Sequence, residues 1–310
     1  MSASPHPFVL AGPTASGKSA LAVALAEAVG GEIVNADPFQ AWRGLGTITA
    51  QPDREQRERV PHHHYGTLPL DQDRDAATFA EAVRGTLDDL RARCVPAIVV
   101  SGSGLYIRSL FGGLDTGLPA PDPILRKELD ACPLPVLLAR LAELDPEEFS
   151  RIDRENPRRV VRAVEICLLS GGQASALRRR RAINASCVET CGIWLDMNHD
   201  QLAERVKMRT EEMFGPTLES EVRALPPWAT ISTTARAAIG LAEAVQWVAG
   251  TLDRASAVER VVVRTRQYAR RQRTWFRKAA ELEAFHVDDV KNSIRLAEGL
   301  VAVWKARRDP

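Results

Sequence analysis

"FVLAGPTASGKSALAVALAEAV", residues 8–29, sets a short apolar run, a glycine-bounded loop and an alanine-rich helix end to end. Gly12, Pro13, Thr14, Ala15, Ser16, Gly17, Lys18 and Ser19 meet the pattern G-x-x-x-x-G-K-[ST] in full, and a strand before with a helix after is the context that gives this pattern its mechanism. The glycines allow a turn whose backbone N–H groups point inward at an anion, and the helix N-terminus adds its partial positive charge. Lys18 then neutralises an outer phosphate, and the Ser19 hydroxyl is the expected Mg²⁺ ligand. A phosphate site follows from this stretch; neither ATP nor hydrolysis does.

Working outward, "GEIVNAD" reads as a second buried strand with Asp37 at its C-terminal end, where open α/β sheets place their chemistry. "DAATFAEAVRGTLDDLRARC" has helical spacing, and "VPAIVVSGSGLYIRSLF" gives a strand, a Ser-Gly-Ser-Gly turn and a helix. This alternation predicts an α/β fold, a parallel sheet with helices on both faces. From about residue 121 helix follows helix, several opened by Pro or Asp, which predicts a mainly helical insertion over 121–188 within a core formed by 1–120 and 189–310. "ETCGIWLDM" returns to a strand, and the remainder reads as helical through "TLDRASAVERVVVRTRQYARRQRTWFR".

Composition narrows the class without naming a function. The 310 residues are 45% hydrophobic and 26% charged with net charge +1, so disorder is excluded and no global field marks a polyanionic partner. No apolar run reaches the length of a membrane span and the start lacks a signal-peptide pattern, so a cytoplasmic protein without membrane attachment is expected. Five cysteines, at 94, 132, 167, 187 and 191, have no framework spacing, and "CVETC" supplies only one pair of metal ligands. Arginine concentrates in "RRRR" at 178–181 and "RTRQYARRQRTWFRK" at 264–278, runs suited to phosphate contact or, equally, to a solvated helix face.

In chain order, "GPTASGKS", "EIVNADPFQAWRG", "TAQP", "VPHH", "SGSGLYIRSL", "LPAPDPILR", "ENPRRVVRAVEI", "EVRAL", "AAIG" and "TRQYARRQRTWFR" together resemble the tRNA dimethylallyltransferases, or tRNA isopentenyltransferases, of bacterial type. The likeness runs over nearly the whole chain. It implies a P-loop NTPase-like core and transfer of a dimethylallyl group from dimethylallyl diphosphate to N6 of the adenosine 3′-adjacent to the anticodon. The loop then holds the diphosphate as a leaving group, with Mg²⁺ and Lys18 offsetting its charge.

By the same resemblance Asp37 is the candidate base for the N6 proton, while its residue type alone leaves a Mg²⁺ or water ligand equally open. Ser103 stands where the family has a threonine in "GGTGLY", a hydroxyl that helps to hold amine and base in line. Asp37, Pro38, Phe39, Gln40, Ser103, Arg126, Arg158, Arg159 and Arg162 match positions that meet the tRNA anticodon stem-loop, whose target base leaves its stack to reach the site. Tyr268, Trp275 and Phe276 pack inward or line the prenyl pocket. A monomer is expected.

Several positions depart from the family pattern. Pro38, Trp42 and Gln51 replace serine, tyrosine and lysine, and Ser101 stands at a usual glycine. The arginine of "R-A-I-G-Y", which in the family contacts diphosphate, aligns with Ala237; Arg236 lies one place earlier, and Leu241 replaces the tyrosine. Arg236 is retained as a diphosphate candidate, although one residue on a helix turns a side chain by about 100°. Competing readings are a P-loop nucleotide or small-molecule kinase, a prenyltransferase acting on free adenylate, and a non-catalytic RNA-binding protein.

Overall fold

The computed structural model describes residues 6–73, 76–111, 118–184, 191–279, 282–287 and 293–306. The chain forms two compact units, 1–111 with 188–310 and 112–187.

The first unit begins with β1 (Phe8–Ala11), α1 (Lys18–Val29), β2 (Glu32–Asn35), α2 (Arg54–Arg59), β3 (His62–His63), α3 (Ala76–Ala92), β4 (Ala97–Ser101) and α4 (Gly104–Phe111). The second unit contains α5 (Pro123–Asp130), α6 (Leu134–Leu144), α7 (Pro146–Arg151), α8 (Pro157–Ser170) and α9 (Ala174–Asn184). The chain then returns with β5 (Cys191–Met197), α10 (His199–Met213), α11 (Pro216–Arg223), α12 (Thr233–Arg236), α13 (Leu241–Val248), α14 (Arg254–Phe276), β6 (Glu283–Val287) and α15 (Ser293–Ala306).

The strands pair in the order β3-β2-β4-β1-β5-β6, every pair parallel. Successive side chains of a strand point to opposite faces, so the continuous apolar runs feed two cores. Val9, Ala11, Val34 and Val99 pack with Phe79, Leu110 and Val261 from α3, α4 and α14. Phe8, Leu10, Ile33 and Ile98 pack on the other face with Leu21, Leu25, Leu202 and Trp304 from α1, α10 and α15. Helices therefore cover both faces, as the alternation predicts.

Beyond Arg277, where the sequence reading assigns no element, Glu283–Val287 forms a strand paired to β5 from Ile193↔Glu283 to Met197↔Val287. Its "EAFHV" is too short and too exposed to carry a period, so only the open edge of β5 selects the extended form. Likewise, β3 is two residues of the His-rich segment recruited by β2.

In the second unit Leu129, Leu137, Leu141, Val160, Val164 and Ile166 make one core. Its helices start as proline and acidic residues dictate: Asp122 accepts from the N–H groups of Ile124 and Leu125, with Pro123 at the first helical position. The fully buried Glu165 is gripped by Arg126 and Arg162 and also accepts the Asp122 N–H. Burial pushes its carboxyl up, but the hydrogen bonds and charges of the two arginines outweigh this and hold it below the ordinary range. Cys187 of "CVETC" lies outside the described residues, as do the side chains of Arg180 and Arg181.

Gly192 shows how tightly β1 and β5 approach. A Cβ there would lie 2.4 Å from the Val9 carbonyl oxygen and 2.7 Å from Val9 Cβ, both on a rigid strand. Gly192→Ala is expected to lower stability by about 1–3 kcal/mol, read from urea unfolding midpoints, through overpacking of the sheet.

Candidate active site

The loop 12–19 leaves β1, the central strand, and runs into α1 with Gly12 at φ 145°, Ala15 at φ 65° and Gly17 at φ 89°. Gly12 has no room for a side chain: a Cβ would sit 3.1 Å from both the Leu195 carbonyl oxygen and Ser16 Oγ. Gly17 caps α1 without a side-chain hydrogen bond, which leaves the first N–H groups of the helix available to an anion. Lys18 Nζ folds back and donates to the Pro13 carbonyl at 2.7 Å. The Ser16 hydroxyl is fully buried and has no hydrogen-bond partner among the described residues.

Asp37 follows β2 by two residues and caps a single 3₁₀ turn, Pro38–Ala41, accepting the Phe39 N–H at 3.1 Å. Asn35, wholly buried, holds this turn from beneath: its Oδ1 accepts the Asp37 N–H, and its Nδ2 donates to the carbonyls of Asp37 and His64. The turn after β4 completes the carboxylate's surroundings: the Gly102 backbone lies against Asp37, where a Cβ added at Gly102 would fall 2.9 Å from Oδ2, and its amide helps to hold the carboxyl down. Gly102, rather than Ser103, is the part of that turn that lines the cavity. Ser103 leads into α4, its N–H bonded to Ser101 Oγ at 3.0 Å. Ser101, at the family's glycine, uses its hydroxyl to tie Ala36 to this turn.

Two arginines of α10 complete the loop. Arg205 Nε donates to the Ala15 carbonyl at 2.8 Å, and the Arg209 guanidinium donates to Thr14 Oγ1. Their spacing of four places them on one helix face. The sequence reading missed them: "AERVKMRTEEM" looks like any charged helix, and no motif marks it. Arg236, the diphosphate candidate, lies on α12 with its guanidinium 5.9 Å over the Trp228 ring and is not among the residues lining the cavity.

A cavity of about 690 Å³ opens on these groups, lined by Thr14, Gly17, Lys18, Ser19, Asp37 and Gly102 at its polar part. Phe39, Ile48, Met213, Ile239, Val261 and Tyr268 supply apolar wall. Of the three aromatics of α14, Tyr268 faces the cavity; Phe276 stacks on Trp194 in the core, and Trp275 fills the space left by Gly104. Gln40 also lines it, its Nε2 donating to the carbonyls of Thr49 and Ala50.

The electrostatics are those of a site awaiting an anion. Burial pushes the Lys18 amine down to about 8, against the pull of Asp37 and helped by Arg209. Burial also lowers Arg209 to about 10, with Arg205 adding repulsion. Asp37 moves the other way: burial raises its carboxyl, although Lys18 and the Phe39 and Gly102 amides restrain it. Burial and Asp37 also push the Tyr268 phenol up, so it stays protonated as a neutral donor.

Among the four arginines expected to meet RNA, Arg158 and Arg159 are exposed at the start of α8. Arg126 and Arg162 instead hold Glu165, which commits their guanidinium groups within the second unit. No helix of the described residues is long and apolar enough to cross a membrane, and none of their His, Cys, Asp and Glu side chains form a cluster of three able to cage a metal.

A parallel sheet with a phosphate loop at its central strand, a buried carboxylate at the next strand end and an apolar cavity beside both define a P-loop protein built for group transfer. The IPP transferase family model matches residues 40–279. The tRNA dimethylallyltransferase of Anaeromyxobacter dehalogenans (strain 2CP-C) is 42% identical over 275 residues, 87% of this chain and 91% of that one. The solved tRNA delta(2)-isopentenylpyrophosphate transferase of Staphylococcus epidermidis is 28% identical with a TM-score of 0.67, over 97% of this chain and 99% of that one. A eukaryotic dimethylallyltransferase acting on tRNA shares the fold at a TM-score of 0.79 and 23% identity, over 96% of this chain and 80% of that one. The chain belongs to the IPP transferase family and is a transferase.

The cation cluster makes anion affinity pH-dependent. A bound anion favours the charged Lys18 amine, whose proton the free protein releases near pH 8. Calorimetric titration with inorganic pyrophosphate is therefore expected to show affinity lost as pH rises past about 8, approaching about tenfold per pH unit, and Lys18→Met is expected to remove that component.

Proposed function

We propose that the chain transfers a dimethylallyl group from dimethylallyl diphosphate to N6 of the adenosine 3′-adjacent to the anticodon in tRNA, releasing diphosphate. The observation that carries this reading is the juxtaposition in one cavity of a cationic phosphate loop, a buried carboxylate and an apolar wall. A kinase site would need to hold a nucleoside triphosphate and a second polar acceptor; an apolar wall beside the loop suits a hydrocarbon attached to a diphosphate. Membership of the transferase family favours the same choice.

In this reading the diphosphate rests on the loop amides, the N-terminus of α1, Lys18, Arg205 and Arg209. Each group stabilises the negative charge that grows on the leaving oxygen as the allylic C1–O bond breaks, and each is already in place before reaction. Mg²⁺ suits the hard oxygen of Ser19, with its remaining ligands supplied by the diphosphate and water, since Mg²⁺ keeps much of its hydration and seldom needs an all-protein cage. When bound it adds charge neutralisation at the departing group.

Asp37 accepts the N6 proton as the amine attacks C1. The proton is acidic only once the new C–N bond is forming, so a carboxylate whose basicity is raised by burial is the better acceptor. Tyr268 and Phe39 line the cavity, where they screen the allylic centre from water. Of the four arginines matched to tRNA contact, Arg158 and Arg159 are the two whose guanidinium groups do not hold Glu165, and they meet RNA phosphate in this reading. A cytoplasmic monomer belongs to the same proposal.

Asp37→Ala is expected to reduce prenyl transfer by at least about a hundredfold, with the affinity for the anticodon stem-loop nearly unchanged in a filter-binding assay; near-wild-type transfer would remove Asp37 as the base. The reaction itself is tested with radiolabelled dimethylallyl diphosphate offered an anticodon stem-loop or free AMP. Label in the stem-loop alone is the expected outcome, and label in AMP alone would replace tRNA by a free nucleotide as acceptor.

A further inference from the structure

Gln272 sits on the face of α14 that also carries Val261, Thr265 and Tyr268, four residues at spacings of three or four that all line the cavity. Only 5% of Gln272 is exposed, and both ends of its amide are engaged. Its Oε1 accepts the N–H of Thr14, in the phosphate loop, at 2.9 Å. Its Nε2 donates to the carbonyl oxygen of Gly102 at 2.7 Å. The amide orientation is determined by its neighbours: turned over, it would set NH₂ against N–H and oxygen against oxygen.

Gly102 lies directly against the Asp37 carboxylate. A Cβ added there would fall 2.7 Å from Gln272 Nε2 and 2.9 Å from Asp37 Oδ2, so the glutamine, the glycine and the base meet at one crowded point. The loop that holds the leaving group and the carboxylate that takes the proton come from different strands, β1 and β2, with β4 between them in the sheet. One side chain from a helix far along the chain ties loop and turn together.

We propose that Gln272 is a positioning residue that sets the donor loop and the Asp37 base in register, by holding Thr14 and Gly102 at a fixed separation. It does not contribute its Thr14 bond to the substrate, since that N–H is already engaged; the diphosphate is left to the remaining amides and the cations. The effect of the glutamine is therefore on the chemical step more than on donor affinity. This inference rests on the prenyl transfer proposed above.

Gln272→Met keeps the length of the side chain and removes both hydrogen bonds. Gln272→Glu keeps an acceptor for the Thr14 N–H but sets an oxygen against the Gly102 carbonyl. Both are expected to lower kcat for the stem-loop by about tenfold to a hundredfold, the cost of a misplacement of about 1 Å, while KM for dimethylallyl diphosphate in Gln272→Met changes by less than about threefold. The acid limb of the kcat profile is expected to move to higher pH, because the Gly102 backbone that helps to hold the Asp37 carboxyl down is released, while Lys18 and Tyr65 are unchanged and Tyr268, which loses the Gln272 contact that lowers it, stays protonated. Circular dichroism identifies which variant is folded, and the Glu variant serves if the Met variant is not.

A folded variant with kcat within about threefold of the wild type, or one whose loss lies wholly in KM, would overturn the assignment. Amide exchange gives a readout independent of turnover: the Thr14 N–H is expected to exchange faster in Gln272→Met, and unchanged protection there would also overturn it. A wild-type protein that transfers no prenyl group, with faster Thr14 exchange in the variant, would instead locate the failure in the proposed reaction.

Discussion

Lys18, Arg205 and Arg209 crowd cationic groups around one loop of the central strand, with the Asp37 carboxylate opposing Lys18. Burying charge without a partner is unfavourable, and the lowered amine of Lys18 and guanidinium of Arg209 record that cost. An anion held on the loop would relieve it. Much of the first unit is arranged so that this unfavourable cluster persists without substrate: the loop is bonded to α10 through two arginines and to α14 through Gln272. Preorganisation of this kind moves the work of orienting charges from the reaction to folding.

The same arrangement explains why the departures from the family pattern are tolerable. Ser101, where a glycine is usual, finds its hydroxyl partners in the Ala36 and Ser103 carbonyls and the Ser103 N–H, and so ties the segment leading to Asp37 to β4. Gln51, where lysine is usual, is satisfied by the Trp42 carbonyl and Arg57. Each substitution has been absorbed into hydrogen bonds that shape the wall of the cavity. The second unit shows a comparable economy: its buried Glu165 is affordable only because Arg126 and Arg162 enclose it, and those arginines thereby become structural.

Much of the fold was legible because its signals are local. The strands β1, β2, β4 and β5 are apolar runs buried on both faces, and their helices carry caps and spacing that short windows reveal. The strand β6 was not legible, since "EAFHV" has no pattern of its own and is strand only because β5 offers an edge. In the site, the loop and Asp37 were visible as motifs at strand ends. Arg205, Arg209 and Gln272 were not, because a charged helix reads the same whether its residues face solvent or a loop 190 or more positions away.

The sequence by itself determined that a phosphate-binding loop stands at the start of an α/β sheet and that the chain resembles prenyl transferases of tRNA, because eight contiguous residues and a row of ordered motifs are readable without folding. Tertiary structure alone decided which cations meet the loop, which aromatic of α14 faces the cavity, and which arginines of the second unit are already engaged. Those outcomes depend on which helix face packs against which neighbour, and that is settled by the burial of side chains distant in sequence, not by the local order of residues.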